Sequence, residues 1–170
     1  MSEQASRSSS VQDALRPIEA AVRDDLPARA VFERLREALA QVVAFKVLTV
    51  LKVDPKTLRS VRLYSSEPSY PVAGTKQHVR GAWSEAVLDR QSAFVASDLA
   101  ALRATFPDSA AIEATGCASI IAAPIIHDGV VVGTMNLWHR DRYYDDEKGA
   151  LVAPFAQAIS RVVRDTNPAR

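Results

Sequence analysis

Cys117 is the one thiol in a chain of 170 residues. A lone thiol offers nucleophilic chemistry only when a cation, an imidazole or a helix N-terminus lowers its pKa. His139 is the imidazole nearest to it in the hairpin that follows, but strand alternation turns it to the opposite face. With no second cysteine, the chain holds no resolving partner for a sulfenic acid and no intramolecular disulfide. His78, His127 and His139 lack metal-ligand spacing with one another or with Cys117, so no metal site is expected. Neither a G-x-S-x-G elbow nor a glycine-rich phosphate loop occurs. What remains suits recognition. Trp83 and Trp138 each offer a flat apolar wall with one donor. Ser97-Asp98 is placed to cap a helix whose free N–H groups suit an anion.

These residues must be positioned by the stretch from Ala118 to His139, ASIIAAPIIHDGVVVGTMNLWH. Two aliphatic runs flank Asp128-Gly129, a pair that favours a tight hairpin because the turn needs positive φ at both central residues. With a two-residue loop, Ser119 faces Trp138, Ile121 faces Asn136 and Ala123 faces Thr134. Ile120, Ala122, Met135 and Leu137 form the other side. One face is then purely apolar, ready for helices. The other mixes a hydroxyl, an amide and an indole, which suits a lined cavity. A one-residue shift of register would scramble this sorting.

The totals describe an ordinary globular domain. Hydrophobic residues make up 48% and charged residues 24%, and a net charge of +1 supplies no general attraction for nucleic acid or anionic membranes. The lone cysteine and the absence of a secretory or membrane-spanning run point to a soluble, cytoplasmic protein.

In chain order, residues 1–9 are Ser-rich and expected to be disordered. A weak helix follows over 10–25, with Pro17 best placed in its first turn. Ala28 to Val43 is a good amphipathic helix. Phe45–Val53 and Leu58–Tyr64 read as antiparallel strands around Asp54-Pro55-Lys56. Then come a loop, a short strand at 76–79, a short helix over 81–90 and an extended piece at Phe94-Val95. Ser97 is expected to cap a helix over 98–105, and Ser109 another. After the hairpin, a long helix runs from about Asp145 to Arg164, kinked at Pro154. The result is an α+β sheet layered by terminal helices.

Three stretches together resemble the GAF domain family: GAWSEAVLDRQSAFVASD from Gly81 to Asp98, ASIIAAPIIHDGVVVGTMN from Ala118 to Asn136, and Tyr143-Tyr144-Asp145-Asp146-Glu147 before the last helix. The resemblance covers roughly Ala28 to Val163. It implies a PAS-related, six-stranded antiparallel sheet with N- and C-terminal helices on one face and a helical and loop-rich insertion over the other. One domain is expected over 27–166, between a tail with a weak helix over 1–26 and a C-terminal tail over 167–170. Ligand would lie between one sheet face and the insertion, where the hairpin reading independently places Ser119, Ile121, Asn136 and Trp138.

Fold does not fix function. Bilin-attaching relatives carry a Cys where this chain has Asp108 and a His where it has Trp138, so covalent bilin does not fit; the cofactor is unknown. Cyclic-nucleotide-binding relatives carry an Asn-Lys pair, and here no Lys follows Asn136. The reading preferred is a non-catalytic sensor or regulatory domain that binds an unidentified small molecule. Its output would pass through a homodimer built on the terminal helices, with Ile18, Val22 and Val163 as surplus apolar positions, or through a separate signalling protein. Expected ligand contacts are Tyr64, Trp83, Ser97, Asp98, Phe106, Ser119, Ile121, Thr134, Asn136 and Trp138. The alternatives are a free methionine-R-sulfoxide reductase using Cys117, and a dimerisation module whose pocket is filled by its own side chains.

Overall fold

The sheet is organised by its β5–β6 hairpin, Ser119–His127 and Val130–His139. Asp128 and Gly129 both have positive φ, 50° and 77°, as the two-residue turn requires. The structure is a computed structural model and describes residues 2–168. Six strands form one antiparallel sheet in the order β3-β2-β1-β6-β5-β4. The others are β1 (Val47–Asp54), β2 (Arg59–Ser65), β3 (Thr75–Gln77) and β4 (Phe94–Ala96).

One face carries the terminal helices: α1 (Ser2–Arg23), α2 (Ala28–Leu39) and, at the other end of the chain, Asp146–Ala158 and Ser160–Asp165. Val31, Phe32, Leu35 and Leu39 of α2 are buried against Leu48, Val50, Met135 and Leu137 of the sheet. The other face is covered by the insertion: α3 (Ala82–Ser84), which continues as a π-helical turn (Glu85–Asp89), then α4 (Leu99–Thr105) and α5 (Ala110–Glu113). The two C-terminal helices are thus α6 and α7, separated by a break at Ile159. Pro154 lies inside α6, and the helix breaks five residues after it.

Two further local expectations change. The helix at the N-terminus is continuous from Ser2 through Pro17 to Arg23, so the Ser-rich run over 2–9 is helical and Pro17 is interior; Met1, Ala169 and Arg170 lie outside the described residues. Packing outweighs composition there: Ala14, Ile18 and Ala21 are buried in the core, and Arg7 reaches Glu147 of α6 at 2.9 Å. Ile18 and Val163 are fully buried within this one chain and are not surplus surface. Among the described residues no helix is long and apolar enough to cross a membrane.

The hairpin register differs from the expectation in one consequential way. The turn has two residues, but the pairing shifts between Ile125 and Ile126, leaving Val132 as an extra residue on β6. Beyond this bulge Ile120 faces Trp138, Ala122 faces Asn136 and Pro124 faces Thr134, while Ile121 faces Leu137 and Ala123 faces Met135. The sorting along β6 is as expected; its β5 partners are exchanged. The cause sits at Gly133, where a Cβ would come within 2.3 Å of the Leu51 carbonyl oxygen of β1. The strands approach too closely there for a side chain, and the bulge accommodates them.

Candidate functional site

The insertion-facing side of β1, β2 and β6 is where the polar recognition residues gather. Pairing along these strands brings Thr49 beside Asn136 and Leu51 beside Thr134. Trp138 stands at the end of this row, its indole N–H 3.5 Å from Thr49 Oγ1. Phe106, from the C-terminal end of α4, packs against Trp138 with ring centroids 6.3 Å apart and meets Phe94 edge-on at 6.1 Å. Trp83 stacks on His78 at 4.1 Å, and His78 Nε2 is 2.8 Å from Ser60 Oγ. Burial, with the Lys76 charge behind it, depresses the His78 imidazole to about 4. It is therefore neutral at pH 7, as a buried ring between a hydroxyl and an indole should be.

Amid these partnered groups one is orphaned. Asn136 is 8% exposed, and its Oδ1 is fully buried with no hydrogen-bond partner among the described residues. Leaving a buried carbonyl oxygen unpaired costs about 1–3 kcal/mol, so its persistence asks for a reason.

The face is closed. Lys76 of β3 reaches across to Asp108, in the α4–α5 connection, at 2.7 Å, and its ammonium lies 4.6 Å from the centre of the Phe106 ring. Burial pushes the Asp108 carboxyl up, but the hydrogen bond and charge of Lys76 outweigh it and hold it below the usual range. The cavities of about 1010 and 190 Å³ both lie elsewhere, on the helical side. The larger is an open groove between α1, the α2–β1 connection and α6, lined in part by Val11, Leu15, Val42 and Leu151.

Of the ten residues expected to contact a ligand, five share this layer: Trp83, Phe106, Thr134, Asn136 and Trp138. Ser119 and Ile121 belong to the opposite face, displaced by the Val132 bulge. Ile121 packs among the terminal helices, and the Ser119 hydroxyl donates to the Arg140 carbonyl at 2.7 Å. Tyr64 also moves to the helical side. A second bulge, at Leu63, separates the Val50–Tyr64 pair from the Leu51–Arg62 pair, so Tyr64 meets Phe32 at 5.7 Å, and burial with the Glu33 charge pushes its phenol up to about 12. Ser97 is exposed, and it is Asp98 that caps α4, its Oδ1 accepting from the Ala101 N–H at 2.8 Å. Asp141 accepts from the Leu99 N–H. With those donors taken by carboxylates of the chain itself, the expected anion position at this helix start is filled.

Cys117 is 2% exposed, with the Thr115 hydroxyl 3.2 Å from its sulfur. Burial pushes the thiol above its ordinary value, the reverse of an activated nucleophile. Sequence reasoning missed Thr49, Ser60, Arg62, Lys76 and His78 as members of this layer. Their signal was the period-two alternation of β1, β2 and the stretch through β3 to His78, legible only once the sheet partners were known.

The sequence model of a GAF domain family matches residues 25–164. No curated protein sequence matches the chain. Among solved structures, the GAF domain of an Acinetobacter phosphoenolpyruvate-protein phosphotransferase is similar with a TM-score of 0.65 at 14% identity, over 90% of this chain and 92% of that one. The corresponding domain from Coxiella burnetii gives 0.66 at 15% identity, over 89% and 91%. A free methionine-R-sulfoxide reductase from Neisseria meningitidis, solved in complex with its substrate, gives 0.60 at 15% identity, over 91% and 89%. At such identities the likeness speaks for the fold alone. The family match spans most of the sequence and the six-stranded sheet agrees with it: the chain belongs to the GAF domain family.

Proposed function

We propose that this GAF domain is a non-catalytic regulatory module that encloses a small molecule between the β1–β2–β6 face and the insertion over 65–116. The observation that carries the reading is the orphaned Asn136 Oδ1, set among Trp138, Thr49 and Thr134. A ligand bearing a hydrogen-bond donor relieves that acceptor, and the aromatic rings around it supply apolar contact. Entry requires the insertion to lift. The Lys76–Asp108 pair is a partly exposed ion pair worth roughly 0–1 kcal/mol, so it resists opening only weakly; the packing of Phe106 against Trp138 is the larger barrier. Ligand binding therefore exchanges a closed, self-packed layer for an open, ligand-filled one.

The helical layer on the other face is the route for output. Its groove exposes parts of Val11, Leu15 and Leu151, and a second copy of the chain docking there would make assembly sensitive to the sheet. The test is a thermal-shift screen of amino acids, nucleotides and small carboxylates, repeated on Asn136→Leu. Compounds that stabilise the wild type by more than ~1 kcal/mol at saturating concentration and lose that effect in the variant support the reading. A screen with no such compound favours the third possibility, a scaffold whose pocket is permanently filled by its own side chains.

A further inference from the structure

Arg62 projects from β2 on the insertion-facing side of the sheet: it pairs with Leu51, which pairs in turn with Thr134. Its guanidinium is fixed from several directions. The Tyr70 ring covers it, with Cζ 3.5 Å from the ring centroid. Nη1 donates to the Pro71 carbonyl. Gly74 leaves the space the group occupies, since a Cβ there would come within 2.8 Å of Nη1. A cation–π contact and a glycine cradle together set the plane of a side chain that is otherwise among the most flexible.

The other edge of the group, Nε with Nη2, is left without an acceptor among the described residues, and Nε is fully buried. Elsewhere in this protein the same edge grips a carboxylate with both nitrogens: Arg103 takes the two oxygens of Glu113 at 3.0 and 2.7 Å, and Arg164 those of Asp165 at 2.7 and 3.1 Å. No carboxylate bonds Arg62 among the described residues, and two of the insertion have other partners. Glu67 Oε1 accepts from the Ser69 N–H and hydroxyl, and Asp108 is held by Lys76. Two buried polar atoms thus lack partners, a donor edge on β2 and an acceptor on β6, and both strands flank β1 in the layer described above.

We propose that the enclosed molecule is an organic anion: its carboxylate or phosphate is taken by the Nε–Nη2 edge of Arg62, and a donor at its far end reaches Asn136 Oδ1. This rests on reading the insertion-facing layer as the ligand pocket. Two parallel bonds to a planar anion are the arrangement that edge is shaped for. Arg62 lies level with Thr134, two residues from Asn136 along β6, and its guanidinium sits over Gly74 on the side of β2 away from β1. The span therefore exceeds the ~10 Å between the β2 and β6 backbones, and the anion and the donor belong at opposite ends of a body at least one ring in length.

The intact chain is tested with three probes of one shape: 4-aminobenzoate, 4-aminophenyl phosphate and neutral 4-aminobenzamide. Affinities come from calorimetry, and the contact is located by the Arg62 Nε–H resonance. An anionic probe is expected to bind and move that resonance, and Arg62→Gln to weaken it about 10- to 100-fold. Arg62→Lys, which keeps the charge and loses the fork, should fall between. The tighter of the two anions identifies the head group. Equal binding of the benzamide, or anion binding that Arg62→Gln leaves unchanged, overturns the anion assignment while the pocket stands. If neither these probes nor any compound of the screen moves Arg62, Asn136 or Trp138, pocket and anion fall together.

Discussion

Replacing Asn136 with leucine is expected to make the folded protein more stable, and the size of the effect follows from what the carboxamide does and does not touch. Leucine branches at the same atom but is the larger side chain. The substitution removes a buried carbonyl oxygen that makes no hydrogen bond, relieving about 1–3 kcal/mol. Thr49 Oγ1 keeps the Trp138 indole N–H and is not orphaned in turn. Against this stands the strain of fitting two larger methyl groups into a buried layer, about 1 kcal/mol, the low end for added core volume, because only the oxygen branch of the carboxamide is fully enclosed. The net gain is about 0–2 kcal/mol, or a rise in Tm of up to roughly 8 °C for a chain of this size. Urea unfolding at pH 7 with an unchanged m-value is the assay. Loss of more than ~1 kcal/mol would refute the reasoning, because it would mean the carboxamide is bonded in solution. Gained stability with lost ligand response is the trade expected of a residue kept for binding.

Gly133→Ala should destabilise by about 1–3 kcal/mol or more, since the added Cβ meets the Leu51 carbonyl oxygen at 2.3 Å and Val163 Cγ1 at 2.8 Å; wild-type stability in denaturant melts would contradict the close approach of β1 and β6. His78 is depressed to about 4, by burial first and the Lys76 charge second, while in the unfolded chain it titrates near 6.5. Between those values the unfolded state holds a proton the folded state does not. Its contribution is therefore complete above about pH 6.5 and lost as the pH falls toward 4; Tm measured over that range should slope less steeply in His78→Gln. Cys117, buried and with its thiol raised, should react with iodoacetamide only at the rate of unfolding. Prompt stoichiometric labelling of the native protein would instead favour an accessible, reductase-like cysteine.

Much of the fold was legible because the signals were local. Asp128-Gly129 announced the hairpin, the stripe of Val31, Leu35 and Leu39 announced α2, and alternation along β6 separated Thr134, Asn136 and Trp138 from Met135 and Leu137. What the residues did not disclose was where the ladder slips. Val132 and Leu63 each add one residue to a strand, and a period-two pattern carries every side chain beyond such a point to the wrong face. That accounts for Ser119, Ile121 and Tyr64. Gly133, a lone glycine inside a β-branched run, was the available hint of one bulge. Arg62 could not be found from its own strand: its importance depends on Tyr70, Pro71 and Gly74 folding back over it, and on Nε meeting no acceptor among the described residues.

The central claim is that a small molecule occupies the insertion-facing layer, and the side-chain amide signals of Asn136 report on that layer directly. Titrated into isotopically labelled protein, the best compound of the screen should shift those signals and give contacts from ligand protons to Trp138 and Thr49. Unmoved Asn136 signals, with the changes confined to the groove around Val11, Leu15 and Leu151, would place recognition on the helical face and contradict the account.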